Sequence, residues 1–559
     1  MEKKASSDLE LETDSKISET EKRGPVSKLL NGLNYVSKKL DSFGGESTGI
    51  ERVSPDQRRT NMTRIIIHVM GLWLSGCGGI TSMSSFFLGP LIFGLGFKDS
   101  MISGLVSCTL GCLLAAYCST MGPRSGLRQI VSARLFFGPW AVRFPALISA
   151  IGFVGWSVTN CVLGGQILYS VSNDKLPIEI GIVIISMISL VIAIFGIRIL
   201  LHTETLISIP VFTVLILLYI IGSNEYPNYL NTVSIGDTMT IRGNFLSFFA
   251  LGFSVTATWG GCASDYYTLL PENTNQLFVF FMTFFAIWIP SFTGAVLSIL
   301  LGNAATVHEP WLEAYTNNSL GGLLHEIFSR WNGFGMFLLV IFFLSLITNN
   351  IINTYSGALE LQLIGGPLSY FPRWFLSVVM VVIFMVCSLA GRDQFATILS
   401  NFLPMLGYWI SIYFTLLLEE NVIFRSNKTL IKLYQYEFST IPGEKQDLLE
   451  GKSRPYYNFD IYLSRDRLTH GFASSLAFCF GVVGAICGMC QVYYIGPIAS
   501  KIGSHGADLG MWLAIGFTAV TYPVFRYIEL KKFDDSSAVI GIVNTLFRSI
   551  MISYGSPQS

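Results

Sequence analysis

Charged residues are scarce in this chain. Lys, Arg, Asp and Glu make up 13% of its 559 residues, whereas hydrophobic residues make up 51% and the mean hydropathy is +0.54. A typical soluble domain carries about twice that share of charge. The composition therefore excludes an ordinary soluble protein and indicates one that crosses a membrane several times.

Other absences exclude further classes of protein. The ten cysteines lie almost wholly inside apolar segments without zinc-ligand or disulfide spacing, so we interpret them as small packing residues. The interior offers no His/Asp cluster and no nucleophile with a paired base, so we predict no metal, no cofactor and no enzymatic activity. The formal net charge is zero, and no nucleic-acid partner is expected.

The long apolar runs that remain define the predicted fold. Each can cross about 30 Å of hydrocarbon. They lie at roughly 64–95, 98–118, 144–170, 178–198, 204–222, 244–264, 276–303, 333–362, 374–391, 394–418, 469–492 and 508–529. The sequence thus predicts an all-α polytopic membrane protein with about twelve transmembrane helices.

The distribution of basic residues predicts the orientation in the bilayer. The first sixty residues are polar and lack an apolar signal core, so we expect a mostly disordered cytoplasmic tail. Counting from that tail, arginines and lysines gather in the loops on its side, which predicts that both termini are cytoplasmic. The sequon at Asn317 then falls in an outer loop and is the candidate glycosylation site.

Two apolar segments are broken at their centres by small residues. The first contains Ser75 followed by Gly76, Gly78 and Gly79, and a second, five segments later, contains Thr256 to Trp259 followed by Gly260 and Gly261. A break in lipid frees backbone polar groups, which is tolerated only where the helix is buried or lines a cavity. Paired breaks in two halves indicate the midplane substrate site of a transporter. The alternative is that the small residues only allow neighbouring helices to pack closely.

Aromatic and amide side chains recur at helical spacing around these breaks. Trp156 and Asn160 are four residues apart and share one helical face, and Trp259 lies in the second break. Two indole faces suit a planar aromatic ligand. Asn349 and Asn353 share a face of the eighth segment, where lipid would penalise their amides. The alternative assigns Trp156 to core packing and Asn160 to contacts between helices.

Ionisable residues within the apolar segments are few. We single out His68, Asp265 and Glu360, each of which lies near the end of its segment. Buried carboxylates can take up protons near neutral pH, so Asp265 and Glu360 are candidate proton-coupling groups. The alternative is a solvated carboxylate or one paired with a loop arginine. No fixed cation is predicted at mid-membrane, which argues against a phosphorylated substrate.

An ordered series of motifs is similar to one known family. Residues 71–97, 122–134, 263–267, 349–353 and 488–496, together with the Trp156 segment, resemble fungal purine-cytosine permeases of the nucleobase-cation symporter superfamily. The resemblance implies two inverted five-helix repeats with discontinuous helices 1 and 6, then two C-terminal helices. It also implies proton-driven uptake by alternating access. Ligand roles are implied for Ser75, Trp156, Asn160, Trp259 and Asn353.

The resemblance also implies a division of the chain. The predicted parts of the chain are a cytoplasmic tail at 1–62, a ten-helix core at 63–420, a cytoplasmic loop at 421–468, two C-terminal helices at 469–530 and a cytoplasmic tail at 531–559.

One departure from the family bears on the substrate. Nucleobase-specific members of the family have a motif similar to Asn-Asn-Ile-Pro-Asn in the eighth helix. In this chain Ile352 stands at the position of the proline and restores a backbone N–H donor. Residues 46–52, 82–86 and 330–335 resemble the branch of this family that transports vitamin B6. We therefore predict proton-coupled uptake of pyridoxine-like, unphosphorylated heteroaromatic rings across the plasma membrane. The alternatives are a purine or cytosine symporter and a nutrient receptor that does not transport.

Overall fold

Long helices form almost all of the regular structure. The computed structural model describes residues 32–33, 35–37, 39, 49–58, 61–438, 454–465 and 467–532. The predicted tails at 1–62 and 531–559 therefore lie mostly outside the described residues, as does part of the predicted loop at 421–468. The main helices are α1 (Met62–Gly78), α2 (Ile80–Phe86), α3 (Phe97–Ser119), α4 (Arg134–Ala141), α5 (Arg143–Val171), α6 (Ile178–Ile194), α7 (Ile197–Gly222), α8 (Thr238–Ala257), α9 (Gln276–Val307), α10 (Glu309–Ser329), α11 (Asn332–Ile364), α12 (Arg373–Gly391), α13 (Phe395–Glu419), α14 (Phe472–Gly488) and α15 (Gly510–Lys532).

Short elements connect these helices. Single α-helical turns are Leu88–Leu91, Met121–Ser125, Gln129–Ser132, Tyr226–Tyr229 and Gln435–Phe438, and Glu420–Phe424 is a π-helical turn. The 3-10 turns are Pro55–Gln57, Ser223–Glu225, Thr258–Gly261, Ala263–Tyr266, Gly366–Tyr370, Arg392–Gln394, Leu430–Leu433, Phe459–Ile461 and Ala499–Lys501. Two short strands, β1 (Cys490–Gln491) and β2 (Tyr494–Ile495), pair antiparallel between α14 and α15.

Each predicted apolar run contains a helix. Within the described residues, seven stretches are long and apolar enough to span a membrane, and one of them, Arg373–Phe424, holds both α12 and α13. Two shorter apolar helices, α6 and α14, accompany them, while α8 and α15 occupy the remaining predicted runs. The predicted all-helical membrane fold is thus confirmed.

Helix α10 was not anticipated from the sequence. The connection between the seventh and eighth runs was expected to be a loop, yet Glu309–Ser329 is helical, with a kink at Asn318 and Ser319. Many residues of this helix are polar, so a search for apolar runs does not find it. Its backbone hydrogen bonds make it helical, and hydropathy does not report them.

Both predicted helix breaks are present at the centre of the bundle. Gly79 is extended between α1 and α2, and the freed amide of Ile80 donates to Ser345 Oγ at 3.1 Å. A Cβ on Gly79 would lie 2.4 Å from Ser345 Cβ, so α11 approaches the break too closely for any other residue. Helix α8 ends at Ala257, and two 3-10 turns follow it. Discontinuous first and sixth helices are therefore confirmed.

Helix packing brings both breaks to the same central region. Helix α1 packs along α7, α3 packs against α8 and α9, and α5 packs against α11. Helix α2 contacts α8, α9 and α11. The last two helices pack on each other, and α15 also packs on α13.

Candidate functional site

A cavity lies between the broken helices. It contains about 460 Å³ of empty space, a volume that includes space open to the surroundings. Its walls come from α2, α5, α8 and the turn that follows it, α11 and α13. The lining residues are Thr81, Ser82, Ser149, Gly152, Phe153, Trp156, Val255, Thr258, Trp259, Asn349, Asn353, Leu406 and Trp409. None of them carries a formal charge, so the site suits a neutral ligand.

Three indole rings give the cavity its aromatic character. Trp156 from α5, Trp259 from the turn after α8 and Trp409 from α13 all line it. The Trp259 ring meets the edge of Trp73, with centroids 5.3 Å apart and planes at 84°. Trp73 in turn donates from Nε1 to the Tyr267 hydroxyl at 2.9 Å. The orientation of Trp259 is therefore fixed by packing, as a stacking surface requires.

An amide network forms one wall. Asn349 Oδ1 accepts hydrogen bonds from Asn160 Nδ2 at 2.9 Å and from Asn353 Nδ2 at 3.0 Å. Asn349 Nδ2 donates to the Gly76 carbonyl at 3.0 Å, which ties this wall to α1. Asn160 Oδ1 accepts from Thr81 Oγ1 at 2.7 Å. Both polar ends of Asn349 and of Asn160 are thus engaged within the protein.

Other polar atoms of the wall remain available to a ligand. Asn353 Oδ1 receives no hydrogen bond from the described residues. Across the same described ranges, the hydroxyls of Ser82, Ser149 and Thr258 also have no hydrogen-bond partner. The cavity therefore offers one amide acceptor and three hydroxyls beside aromatic rings.

Four of the six predicted substrate-binding residues line this cavity. These are Trp156, Trp259, Asn349 and Asn353. Asn160 is fully buried one layer behind the wall, where it holds Asn349. Ser75 is also buried outside the lining. The direct ligand roles of all six residues stay predictions.

The predicted glycines shape the helices that surround the cavity. None of Gly76, Gly78, Gly79, Gly260 and Gly261 is among the lining residues. Instead each meets a neighbouring helix: a Cβ on Gly260, for example, would lie 2.7 Å from Leu114 Cδ2. Breaks and close packing therefore occur together, and the two readings of the glycines are compatible.

The partner of Ser75 is a residue that sequence reasoning missed. Ser75 Oγ donates to Glu204 Oε2, and the Glu204 side chain is completely buried. The fifth apolar run was predicted to begin at residue 204, and this glutamate was not among the ionisable residues singled out from the sequence. Helix α7 actually begins at Ile197, about two turns earlier. The reach of the helix beyond its apolar run could not be read from hydropathy.

Asp265 and Glu360 lie together away from the cavity lining. Asp265 Oδ1 accepts a hydrogen bond from the backbone N–H of Gln129 at 2.8 Å, and Arg128 Nη1 donates to the backbone carbonyl of Asp265 at 2.8 Å. Glu360 is buried in α11 and interacts electrostatically with Asp265. Asp265 thus anchors the segment after α3, and neither carboxylate reaches the lining.

Ser82, Ser149, Thr258 and Trp409 also line the cavity without having been predicted. Ser82 and Thr258 flank the two breaks, so proximity to a break was a usable signal for them. Ser149 and Trp409 lie on α5 and α13 with no distinguishing pattern, and only the packing of the bundle identifies them. Asn317, the predicted glycosylation site, is exposed on α10.

A broken-helix bundle around an uncharged aromatic cavity defines a class of membrane transporter. The model of a family described as permeases for cytosine/purines, uracil, thiamine and allantoin matches residues 54–431. The chain belongs to this permease family, and it is a secondary transporter.

Individual relatives support this assignment. The chain is 48% identical over 530 residues to the vitamin B6 transporter TPN1 of Saccharomyces cerevisiae, covering 90% of this chain and 91% of that one. It is 29% identical over 489 residues to the purine-cytosine permease fcyB of Emericella nidulans, covering 87% and 89%. Among solved structures, Mhp1, a nucleobase-cation-symport-1 family transporter, matches with a TM-score of 0.61 in a closed, bromovinylhydantoin-bound conformation. That match covers 88% of this chain and 95% of Mhp1 at 13% identity, so it bears on the fold alone.

Proposed function

We propose that the protein imports pyridoxine and related unphosphorylated forms of vitamin B6 across the plasma membrane, driven by protons. The observation that carries the proposal is the uncharged cavity with indole rings and unpaired hydroxyl and amide oxygens. The identity to a relative named as a vitamin B6 transporter supports it. A hydroxylated pyridine ring has the aromatic faces and the O–H groups that such a cavity can bind.

In this proposal the pyridine ring stacks on Trp156 and Trp259. Its hydroxyls donate to Asn353 Oδ1 and exchange hydrogen bonds with Ser82 and Thr258, while Asn160 and Asn349 hold the wall in place. A phosphate would bring negative charge into a lining without arginine or lysine, and its desolvation would be uncompensated. The substrate is therefore the unphosphorylated vitamin.

The coupling and topology belong to the same proposal. Asp265 and Glu360 are candidate proton-coupling groups because both are buried and interact with each other. The positive-inside pattern supports cytoplasmic termini. The proposal retains a ten-helix core at 63–420 and an added pair of helices at 469–530. Asn317 then faces the outside, where it can be glycosylated.

The rival is a purine or cytosine symporter, which the relative fcyB represents. Competition separates the two readings. We expect uptake of labelled pyridoxine, in yeast cells that lack their own vitamin B6 uptake, to be blocked by excess pyridoxine but not by cytosine or adenine. Blockade by cytosine or adenine at equal concentrations would favour the nucleobase reading.

A substitution tests the stacking surface. Trp156→Ala should abolish uptake at unchanged surface expression, because one of the two indole rings proposed to stack on the substrate is lost. Trp512→Ala, which removes an exposed tryptophan of α15, is the matched control and should transport normally. Normal transport by Trp156→Ala would contradict the proposed site. A receptor that only binds would show no accumulation of substrate against its gradient.

A further inference from the structure

A buried carboxyl lies beside the first break, where α7 packs along α1. Glu204, in α7, has a completely buried side chain. Its Oε2 contacts Ser75 Oγ, and its Oε1 has no hydrogen-bond partner among the described residues. Among the described residues, no lysine, arginine or histidine forms an ion pair with the Glu204 carboxyl. The group is therefore buried without a counter-ion.

Such a carboxyl is stable in this position only when it carries a proton. A buried carboxylate without a counter-ion is strongly destabilised in a protein interior. When Glu204 is protonated, it can donate to Ser75 Oγ, and Ser75 can donate onward to the Leu72 carbonyl, 3.2 Å away. When Glu204 is ionised, one oxygen keeps the serine while the other bears charge with no donor. The closed α1–α7 interface thus fits the neutral acid and excludes the anion.

The surrounding titratable groups do not replace the proton. Cys77 of α1 is the titratable neighbour that interacts electrostatically with Glu204. Toward the start of α1, His68 Nδ1 lies 3.0 Å from Thr205 Oγ1, and the His202 ring is 6.4 Å from the His68 ring. From α6, α9, α10 and α11, no described side chain forms an ion pair with the carboxyl.

The interface around Glu204 closes tightly. A Cβ on Gly71 would lie 2.8 Å from Thr205 Cα, so α1 and α7 touch through backbone at this level. A proton can therefore reach or leave Glu204 only when the two helices separate. Separation of helices around a fixed site is the motion that alternating access requires.

Glu204 is also connected to the cavity wall. Its partner Ser75 precedes Gly76, whose carbonyl accepts from Asn349 Nδ2. Asn349 in turn orients Asn160 and Asn353 through its Oδ1. A shift of α1 at Ser75 therefore changes the wall that the substrate contacts, and the substrate can in the same way favour the closed interface.

We infer that Glu204 is the proton-binding site that couples proton entry to substrate entry, with Ser75 as its positioning residue. The inference rests on the proposed proton-driven uptake and assigns its coupling group. The proton binds Glu204 from one side when α1 and α7 are apart, is enclosed with the substrate when they close, and leaves toward the other side.

The test uses purified full-length protein in liposomes with the membrane potential clamped at zero. A one-unit inward pH gradient should drive about tenfold accumulation of labelled pyridoxine by the wild type, since a tenfold ratio equals 1.4 kcal/mol. An enclosed pH dye should report acidification on substrate entry. Glu204→Gln, which mimics the neutral acid, should exchange internal for external pyridoxine within about twofold of the wild-type rate yet accumulate none and show no acidification.

Glu419→Gln is the matched control, because it neutralises a half-buried carboxyl at the end of α13 that also has an oxygen without a hydrogen-bond partner among the described residues. It should keep both accumulation and acidification. Retained proton entry in Glu204→Gln, or loss of proton entry in Glu419→Gln alone, would overturn the inference while leaving vitamin uptake intact. A wild type that transports pyridoxine without protons would refute the coupling, and one that takes up only cytosine would refute the substrate while the same two variants still test Glu204.

Ser75→Ala covers the case in which Glu204→Gln fails to reach the membrane. Loss of the serine hydroxyl should shift the pH of half-maximal uptake, because it removes the one hydrogen bond to the carboxyl. An unchanged pH profile in Ser75→Ala would also overturn the inference.

Discussion

The two serines on either side of the first break have different partners and different roles. Ser75 and Ser82 are both buried, yet only Ser82 lines the cavity. The hydroxyl of Ser75 is occupied by Glu204, whereas that of Ser82 has no partner among the described residues. Both serines are compatible with a site at the broken helix, and their partners distinguish them.

Ser82→Ala is expected to weaken substrate binding without changing the proton response. Loss of one neutral hydrogen bond costs about 0.5–1.5 kcal/mol, which corresponds to about a two- to tenfold higher KM. Initial uptake rates over a range of pyridoxine concentrations measure this. An unchanged KM would mean that the ligand does not contact Ser82.

At the scale of elements, the connection between α14 and α15 ties three parts of the bundle together. Asp508 accepts from the Gly510 amide at 2.9 Å, from Gln491 Nε2 at 3.0 Å and from the Tyr408 hydroxyl of α13. Its own amide donates to Ser247 Oγ of α8 at 3.0 Å. A single buried carboxyl in this loop therefore joins the strand β1, the start of α15 and two core helices.

This connection should give stability a pH dependence. Burial raises the pKa of Asp508, which lies outside the spanning helices, from 3.8 to about 7. Between these values the folded protein holds a proton that the unfolded chain has released, so the stability contribution is present at low pH and is lost as pH rises through about 7. Asp508→Asn should reduce the fall in unfolding temperature between about pH 5 and pH 7.

Thermal unfolding of the detergent-purified protein at both pH values measures the effect. The amide is well tolerated in principle, because Gln491 Oε1 is buried without a partner and can accept from it after a flip. Equal slopes for wild type and variant would show that Asp508 does not titrate in this range.

At the scale of the whole molecule, the C-terminal pair of helices is joined to the core by buried charges. Glu420 Oε1, after α13, accepts from Arg425 Nε at 2.7 Å and from Arg526 Nη2 of α15 at 2.9 Å. Arg526 also pairs with Glu529 at 3.0 Å, and Glu529 accepts from the Gly471 amide at the start of α14. Because the carboxylates and guanidiniums are mutually satisfied, the cluster specifies how this pair docks.

Glu420→Gln should destabilise the protein by about 3–5 kcal/mol, because it leaves two buried arginines short of one negative charge. Arg392→Ala, which breaks an exposed pair with Glu179, is the control and should cost at most about 1 kcal/mol. Unfolding temperatures of both variants give the comparison. Equal effects would show that the buried cluster is no more important than a surface pair.

The sequence by itself determined the class of the protein. Apolar runs of spanning length predicted the twelve helices, because a chain in lipid must satisfy its backbone within each segment. The glycine and serine clusters predicted both breaks, and the recurrence of Trp and Asn four residues apart predicted Trp156 and Asn353 in the cavity wall. These features are local, so spacing along the chain was sufficient to find them.

Only the tertiary structure decided which polar groups meet. Ser149 and Trp409 reach the cavity because α5 and α13 pack beside the breaks, and Glu204 meets Ser75 because α7 lies against α1. Asn160, predicted to share a helical face with Trp156, lies behind the cavity lining and donates to Asn349. Such pairings depend on how distant segments pack, and hydrogen bonding in a buried interior is settled by three-dimensional proximity, which no periodicity in one segment encodes.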